Sequence, residues 1–184
     1  MKGVIFNLFE DFVCEGFGDD TYEAILDEAD LQTEGPFVGP GLYPDADLLE
    51  LVGRTIARLG IPLPDALRAF GRFALPRLVA SHPDFADSTM TAKEFLVSVD
   101  GVIHVEVQKL FPDAITPRLV CEDAGPDRLV MTYRSERGFC HLVEGFLDGV
   151  SDHFGTKIDY HQSSCAHDGA DACRFELGFS DGAA

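Results

Sequence analysis

Basic side chains are scarce in this sequence, and tryptophan is absent from it. Lysine and arginine together number 14, against 32 aspartates and glutamates, so the formal net charge is −18 at pH 7. A surface of that sign repels polyphosphates and anionic lipid head groups, which argues against a nucleic-acid binder and against a protein that binds anionic membranes. The charge favours solubility and suits a basic partner.

Long hydrophobic runs are also missing. No window approaches the roughly 20 apolar residues that a membrane-spanning helix needs. The N-terminal run MKGVIFNLFEDFV contains acids and lacks a cleavage-site pattern, so it does not resemble a signal peptide. Five cysteines, an odd number, without an export signal indicate a cytoplasmic protein whose cysteines are thiols or metal ligands.

The usual signs of catalysis are lacking as well. There is no phosphate-binding glycine loop, and the many acids have the pattern of a solvated surface rather than of paired catalytic carboxylates. Cys140 and His141 could be imagined as nucleophile and base, but adjacent side chains on a helix point about 100° apart. We therefore expect a binding protein and not an enzyme.

The chain does contain enough apolar material for a core, since 46% of its residues are hydrophobic and 15 are phenylalanine. The first half has helical periodicity, and TAKE at 91–94 is typical of a capping box. After Pro117 the pattern changes to hairpin, helix, hairpin, with strands predicted over RLVCED, RLVMTYRSER, TKIDYHQSS and CRFELGF. These patterns predict an α+β fold: a helical N-terminal part, then a four-stranded antiparallel sheet with an inserted helix.

Two short stretches carry the chemistry. DGVIHVEVQKLFPDA at 100–114 places His104 among branched apolar residues, and its residue pattern is typical of neither a regular helix nor a regular strand. A lone histidine of this kind is most often a core residue. YRSER at 133–137 is predicted to continue the second strand, where Tyr133, Ser135 and Arg137 would share one face. Two hydroxyls and a guanidinium suit bound carboxylates, although a solvated strand face is the simpler interpretation.

In combination, a histidine followed about thirty residues later by Tyr-x-Ser-x-Arg resembles the haem nitric oxide/oxygen-binding (H-NOX) family. This family is the bacterial relative of the haem domain of soluble guanylate cyclase. The resemblance extends over MKGVIFNLFEDFV, DGVIHVEVQKLFPDA, Pro117 and YRSER with its following helix. It implies a single domain over 1–184, with a distal helical subdomain over 1–62, a proximal subdomain over 63–184, and haem b between them.

Carried over by position, the resemblance implies roles for individual residues. His104 would be the proximal iron ligand and would lie on a helix, leaving the sixth coordination position free for a gas. Contacts to the haem propionates are implied for Tyr133, Ser135 and Arg137. Ile5 and Pro117 match positions that pack on the macrocycle.

The identity of the gas follows from the distal side. O2-binding members of the family carry a distal tyrosine where this chain has Leu142, and some carry tryptophan where it has Phe9. With Ile5 and Phe146, these residues predict an apolar distal wall without the hydrogen-bond donor that bound O2 needs. His141 should not share the face of its neighbour Leu142. We expect an NO sensor that also binds CO and excludes O2.

The resemblance further implies how the signal is transmitted. NO binding weakens the bond to the proximal histidine in the family, so release of His104 would let its helix move and the haem relax against Pro117. The chain ends soon after the last predicted strand, so we expect the signal to pass to a separate protein. Family context suggests a histidine kinase or a cyclic-di-GMP enzyme.

A second cluster of possible metal ligands lies near the C-terminus. Three thiolates plus one imidazole form a common structural zinc set, and Cys140, Cys165 and Cys173 match the spacing of a zinc site in a subset of the H-NOX family. His161 lies four residues before Cys165, where three are expected, and His167 competes as the fourth ligand. Free thiols or a Cys165–Cys173 disulfide are the alternatives. Two cysteines outside the cluster are expected to be ordinary buried residues: Cys14 and Cys121.

One other family competes for the tail of the chain. CAHDGADACRFELGF also resembles the end of V4R-type sensory domains, in which a cysteine-bearing hairpin closes over a small organic ligand. That alternative leaves His104 and the Tyr133, Ser135, Arg137 set without a shared purpose. A Soret absorption band would separate the two families.

Overall fold

The computed structural model describes residues 1–87 and 89–181. Helices occupy the first part of the chain, and the sheet lies in the last part. The first helices are α1 (Gly3–Phe17), α2 (Asp19–Glu28), α3 (Asp45–Leu59) and α4 (Leu63–Ser81). A 3-10 turn (Pro83–Phe85) precedes α5 (Ala92–Ser98), a π turn (Val99–Ile103) and α6 (His104–Leu110). The last part contains β1 (Arg118–Asp123), β2 (Arg128–Arg134), α7 (Cys140–Phe154), β3 (Thr156–Ser164), a second 3-10 turn (Ala166–Asp168) and β4 (Cys173–Asp181).

The four strands form one antiparallel sheet in the order β1-β2-β4-β3. In its register, Arg118 lies opposite Arg134, Tyr133 lies opposite Cys173, and an irregularity interrupts the β3–β4 pairing between Gln162 and Ser164. The predicted α+β fold with an antiparallel sheet and an inserted helix is thereby confirmed. None of the helices in the described ranges combines the length and apolarity needed to cross a membrane.

The predicted capping box starts the helical segment that carries His104. The Thr91 hydroxyl oxygen accepts a hydrogen bond from the Glu94 backbone N–H, and the Glu94 carboxylate accepts one from the Thr91 backbone N–H. Helical backbone then continues from Ala92 to Leu110, with the π turn in its middle. His104 is therefore a helical residue, and β-propensity in its branched neighbours does not prevail.

The closest packing between helices is that of α4 against α7, and two glycines permit it. A Cβ atom on Gly145 would stand 2.0 Å from the Arg68 carbonyl oxygen, and one on Gly71 would stand 2.5 Å from the Leu142 carbonyl oxygen. Those separations are far below van der Waals contact, so any side chain at either position would force the backbones apart.

Buried side chains divide into two clusters that meet at this helix pair. The distal cluster joins α1, α2 and α3 to the first half of α4 and includes Phe6, Phe9, Val13, Ile25, Leu51, Phe70 and Ala74. The proximal cluster lies between the sheet and the helices α4, α5 and α7 and includes Leu75, Phe95, Met131, Tyr133, Leu147, Phe175 and Leu177. The helix α4 therefore contributes side chains to both clusters.

A polar network also connects the two parts. Arg137, in the turn after β2, donates from Nε to Asp45 Oδ2 on α3 at 2.5 Å and from Nη1 to the Ile115 carbonyl at 2.9 Å. The Met1 amino group donates to Asp45 Oδ1 at 2.6 Å. Partial burial alone would raise the pKa of Asp45, but hydrogen bonds and charge from Arg137 and Met1 outweigh it and lower that pKa.

Replacing Asp45 by asparagine should destabilise the protein at neutral pH, because the variant leaves Arg137 without its carboxylate. Given the partial exposure of Asp45, we expect a loss of about 1 kcal/mol and a fall in melting temperature of about 2–4 °C. Since the folded-state pKa of Asp45 is lowered, its stabilising effect is complete above the unfolded pKa of about 3.9 and disappears as pH falls through the folded value.

The measurement is thermal unfolding of the parent protein and D45N at pH 7 and in steps below pH 4. The exposed Asp113→Asn variant is the control for loss of one negative charge. A D45N deficit that is the same at pH 7 and at low pH would contradict the assigned role of the carboxylate.

Candidate functional site

His104 is the first residue of α6, and its side chain is mostly buried. Its Nδ1 atom lies 3.6 Å from Asp100 Oδ1, which is too long for a hydrogen bond, and Nδ1 has no hydrogen-bond partner among the described residues. Burial lowers the pKa of His104, and Asp100 only partly opposes that effect. The imidazole is therefore neutral near pH 7, and neutral imidazole is the form that binds iron.

Asp100 connects this histidine to the sheet. Its Oδ1 atom accepts a hydrogen bond from the Leu119 backbone N–H at 3.1 Å, at the start of β1. The Pro117 backbone adjoins the His104 ring as well and slightly raises its pKa. The helix of His104 and the first strand are thus joined through a carboxylate that nothing in the sequence analysis singled out, although its i, i+4 spacing to His104 was visible.

The three predicted carboxylate-binding residues lie close together, but not on one strand. β2 ends at Arg134, so the prediction that Ser135 and Arg137 continue the strand face of Tyr133 is wrong. Gly138 has φ +64°, a left-handed conformation that favours glycine and belongs to a turn. Within that turn the Ser135 Oγ atom accepts from the Arg137 backbone N–H at 3.2 Å.

The turn nevertheless presents donors. Tyr133 is buried, and its hydroxyl oxygen accepts a hydrogen bond from the Phe139 backbone N–H at 3.2 Å, leaving the O–H free to donate. Arg137 has five N–H groups, of which its contacts with Asp45 and Ile115 use two. The remaining donors suit a carboxylate group, as the propionates of a haem would require.

The four residues expected to form an apolar wall are brought together. Phe9 is buried in the distal cluster, and Ile5, Leu142 and Phe146 pack against that cluster from α1 and α7. His141 does not join them, because its Nδ1 atom lies 2.9 Å from Glu144 Oε2 and its ring lies beside Cys165 and His167 in a surface depression. The four side chains thus adjoin one apolar cluster, and their role as the distal wall of a haem site stays a prediction.

Three cysteines converge at the start of α7. The Sγ atoms of Cys140, Cys165 and Cys173 all lie within 4.8 Å of one another, and Cys140 Sγ is 4.0 Å from Cys165 Sγ. The Ala166 backbone N–H donates to Cys173 Sγ at 3.3 Å, an interaction that favours a thiolate. Burial and the neighbouring sulfurs raise the pKa of Cys140, so the thiols need a cation to deprotonate together at neutral pH.

Cys14 and Cys121 lie outside this cluster and are only partly buried, whereas the sequence predicted buried residues. Burial raises the pKa of each of these two thiols to about 11. Both are therefore protonated near pH 7 and are unreactive as nucleophiles.

The two candidate histidine ligands differ in their position relative to the cysteine cluster: His161 lies on the far face of the sheet and His167 lies on the same side as the cysteines. His161 is exposed and lies opposite Glu176 on the outer face of the sheet, whereas Cys173 is on the buried face. Gln162 points inward instead, and its Nε2 atom is buried without a hydrogen-bond partner in the part of the chain that the structure describes. His167 lines the same depression as Cys165, and its Nε2 atom donates to the Gly138 carbonyl at 2.8 Å.

These placements test whether a haem and a metal ion suit the residues. A buried, neutral imidazole whose Nδ1 has no hydrogen bond, an apolar wall and unused arginine and tyrosine donors meet the chemical needs of an iron porphyrin with two carboxylates. Three converging sulfurs meet those of a soft divalent ion. His161 does not contribute to this second site, because its side chain leaves the sheet on the opposite face.

Comparison with known proteins covers nearly the whole chain. The model of the family described as Haem-NO-binding matches residues 2–162. Among solved structures, an H-NOX protein from S. oneidensis in the Fe(II)NO ligation state is 29% identical, with a TM-score of 0.92 over 98% of this chain and 100% of that one. The Fe(II) unliganded H-NOX protein from K. algicida is 27% identical, with a TM-score of 0.90 over 100% and 99% of the two chains.

A further solved structure, the H-NOX domain from Shewanella oneidensis in the Fe(II)CO ligation state, is 29% identical, with a TM-score of 0.89 over 98% of this chain and 99% of that one. These matches do not favour the V4R alternative, which accounts only for the tail. The family match exceeds half of the chain, and the fold agrees over nearly all of it. The chain belongs to the haem-NO-binding, or H-NOX, family of haem-based gas-sensing domains.

Proposed function

We propose that this protein is a gas sensor that binds NO, and also CO, at a ferrous haem b and excludes O2. The observation that carries the proposal is the uncharged, mostly buried imidazole of His104 beside Asp100 and Pro117. A ferrous porphyrin with one axial imidazole supplies an open coordination position for a diatomic gas. His104 would be the axial ligand through Nε2, because Nδ1 faces Asp100.

The other contacts of the haem are proposed from the same residues. Tyr133, Ser135 and Arg137 would donate to the propionates from the turn after β2, and Pro117 would pack on the proximal side. Distal contacts would come from Ile5, Phe9, Leu142 and Phe146. The haem would then lie between the two clusters, and the subdomain limits of 1–62 and 63–184 remain part of this proposal.

The exclusion of O2 rests on the chemistry of the distal wall. Iron-bound O2 is stabilised by a hydrogen-bond donor, whereas NO and CO need one far less. The four side chains of the apolar wall provide no such donor, and His141, next to Leu142 in sequence, is engaged with Glu144 on another face of α7. The wall therefore selects by withholding a hydrogen bond.

Signalling is proposed to follow from release of His104. Release of the imidazole from a bound haem would let α6 move relative to β1, and the Asp100–Leu119 hydrogen bond would transmit that movement to the sheet. The sensor would act on a separate signalling protein in the cytoplasm, a histidine kinase or a cyclic-di-GMP enzyme. No step requires covalent chemistry on a substrate.

A structural zinc ion is proposed for the three cysteines. Their sulfurs are close enough to share one tetrahedral ion, and the ion would replace mutual repulsion among thiolates with attraction. For the fourth ligand we now favour His167 over His161. His167 lines the same depression as Cys165, and the Gly138 carbonyl accepts from its Nε2, so the neutral ring keeps a lone pair on Nδ1 for an ion.

The His104→Gly variant should lose its haem, because the imidazole is the only proposed protein ligand of the iron. We expect haem content to fall about tenfold or more and to recover when imidazole is added. Soret absorbance per chain measures both effects. The exposed His82→Gly variant is the control, and normal haem content and spectrum in H104G would remove His104 as the ligand.

The ferrous protein should form NO and CO complexes but show no stable oxy spectrum in air. Leu142→Tyr places a donor in the wall and should allow an oxy complex to form, whereas the similarly sized Leu142→Phe should not. Absorption spectra of the ferrous proteins before and after exposure to air distinguish these cases. A durable oxy complex in the unchanged protein would mean that the distal wall is misassigned.

The purified protein should contain about one zinc ion per chain, with three cysteines holding it. Cys140→Ser should abolish binding, and His167→Ala should weaken it by about tenfold or more, while His161→Ala leaves it unchanged. Competition with a metal indicator measures the affinities, and the Soret band reports that each variant is folded. Loss of zinc in H161A with retention in H167A would reverse the ligand assignment.

A further inference from the structure

Six of the ten arginines of this acidic protein have a carboxylate close by. Within the described ranges, six of them lie 2.5–2.7 Å from an acidic oxygen: Arg54, Arg58, Arg68, Arg72, Arg77 and Arg137. The exceptions are on the sheet. Arg128, at the start of β2, has no acidic oxygen within 4.0 Å among the described residues. At the opposite end of the sheet, Arg118 and Arg134 have none either, and Arg174 has only a 3.7 Å contact with Glu122.

These three arginines share one end of the outer sheet face. Arg118 on β1 is the direct partner of Arg134 on β2, and Arg174 on β4 is the partner of Thr132, two residues before Arg134. Like charges directly opposite each other on antiparallel strands are destabilising. The chain has 32 acidic residues, yet none of those described forms a close ion pair with Arg118 or Arg134. The stability of the folded protein therefore does not account for this arrangement.

The same side chains line a shallow depression of about 490 Å³. Val120, an exposed apolar residue, and Thr132 form part of its floor. Glu122 and Asp171 also line it, so two acids face three arginines and leave an excess of positive charge. We call Arg118, Val120, Thr132, Arg134 and Arg174 the arginine face.

We infer that the arginine face docks an acidic segment of a partner protein. Guanidinium groups bind carboxylates bidentately, and a chain segment with several carboxylates would replace the repulsion between Arg118 and Arg134 with attraction to both. The open, shallow shape suits an extended segment better than a small molecule, which needs an enclosing pocket. Because the protein as a whole carries a charge of −18, an acidic partner is repelled by the overall charge and attracted by this local excess of arginine.

The arginine face also lies next to the proposed haem contacts, and this step rests on the proposed function. Arg118 follows Pro117 directly, and Arg134 follows Tyr133 directly, on strands whose successive side chains point to opposite faces. Movement of β1 or of the end of β2 caused by release of His104 therefore changes the spacing of the arginines. Docking and gas binding would be coupled through the thickness of one sheet.

Docking is tested with hexaglutamate added to isotope-labelled, haem-loaded protein at low ionic strength, with amide NMR shifts as the readout. We expect shifts confined to residues 118–122, 130–134 and 170–174. The double variant Arg118→Gln/Arg134→Gln should weaken binding about tenfold or more. The control Arg128→Gln, on the same face at the other end of β2, should change it less than about twofold.

Several outcomes would overturn the inference. These are shifts spread over the whole chain, equal weakening in the Arg128 control, or identical shifts with inorganic phosphate at the same charge concentration, which would indicate a small-anion site. Melting temperature gives a second readout, since loss of Arg118 and Arg134 should leave it unchanged or raise it. A marked fall would show that these arginines are structural.

The coupling is tested separately by comparing hexaglutamate affinity for the unliganded ferrous and the NO-bound protein. A change of about threefold or more supports transmission through the sheet. Equal affinities would contradict the coupling. Failure to bind haem would contradict the proposed function and leave the docking measurement, which the apo protein also permits, intact.

Discussion

The close approach of α4 and α7 determines where the other parts of this protein lie. With a side chain at Gly71 or Gly145, the two backbones could not touch. The approach lets one helix, α4, enter both apolar clusters. It also gives two faces of the first half of α7 different surroundings: Cys140 begins the helix beside the other cysteines, whereas Leu142 and Phe146 pack against the distal cluster.

Charge adds a second constraint, across the same boundary. Asp45 on α3 receives the Arg137 guanidinium and the Met1 amino group, so one carboxylate joins the N-terminus, the distal helices and the turn after β2. If Arg137 also binds a propionate, as proposed, the position of the haem and the contact between the two parts depend on one side chain. A shift of the haem would then be felt at Asp45 without any other intermediary.

Local patterns were sufficient for most of the fold and for part of the site. The capping box at Thr91 and the alternation of apolar residues in the strands depend on near neighbours, so the sequence alone predicted them. The end of β2 was not predicted, because the pattern of alternating side chains in the sequence runs on through YRSER. In the structure the chain turns there, with the Phe139 N–H hydrogen-bonded to the Tyr133 hydroxyl and Gly138 in a left-handed conformation. The Asp45–Arg137 pair joins residues 92 positions apart and leaves no local signal.

The zinc ligand illustrates a different kind of error, because the information was present. Ile158 is apolar and therefore faces the core, so strand alternation places Gln162 on the core side and His161 on the outer side. Counting residues back from Cys165 had already suggested that His161 was one position out of place. The same alternation separates Tyr133 from Arg134: one strand end carries the proposed haem contact on its inner face and an arginine on its outer face. A sheet only one layer thick cannot move one face without moving the other, so a sensor built this way needs no long pathway between its gas and its partner.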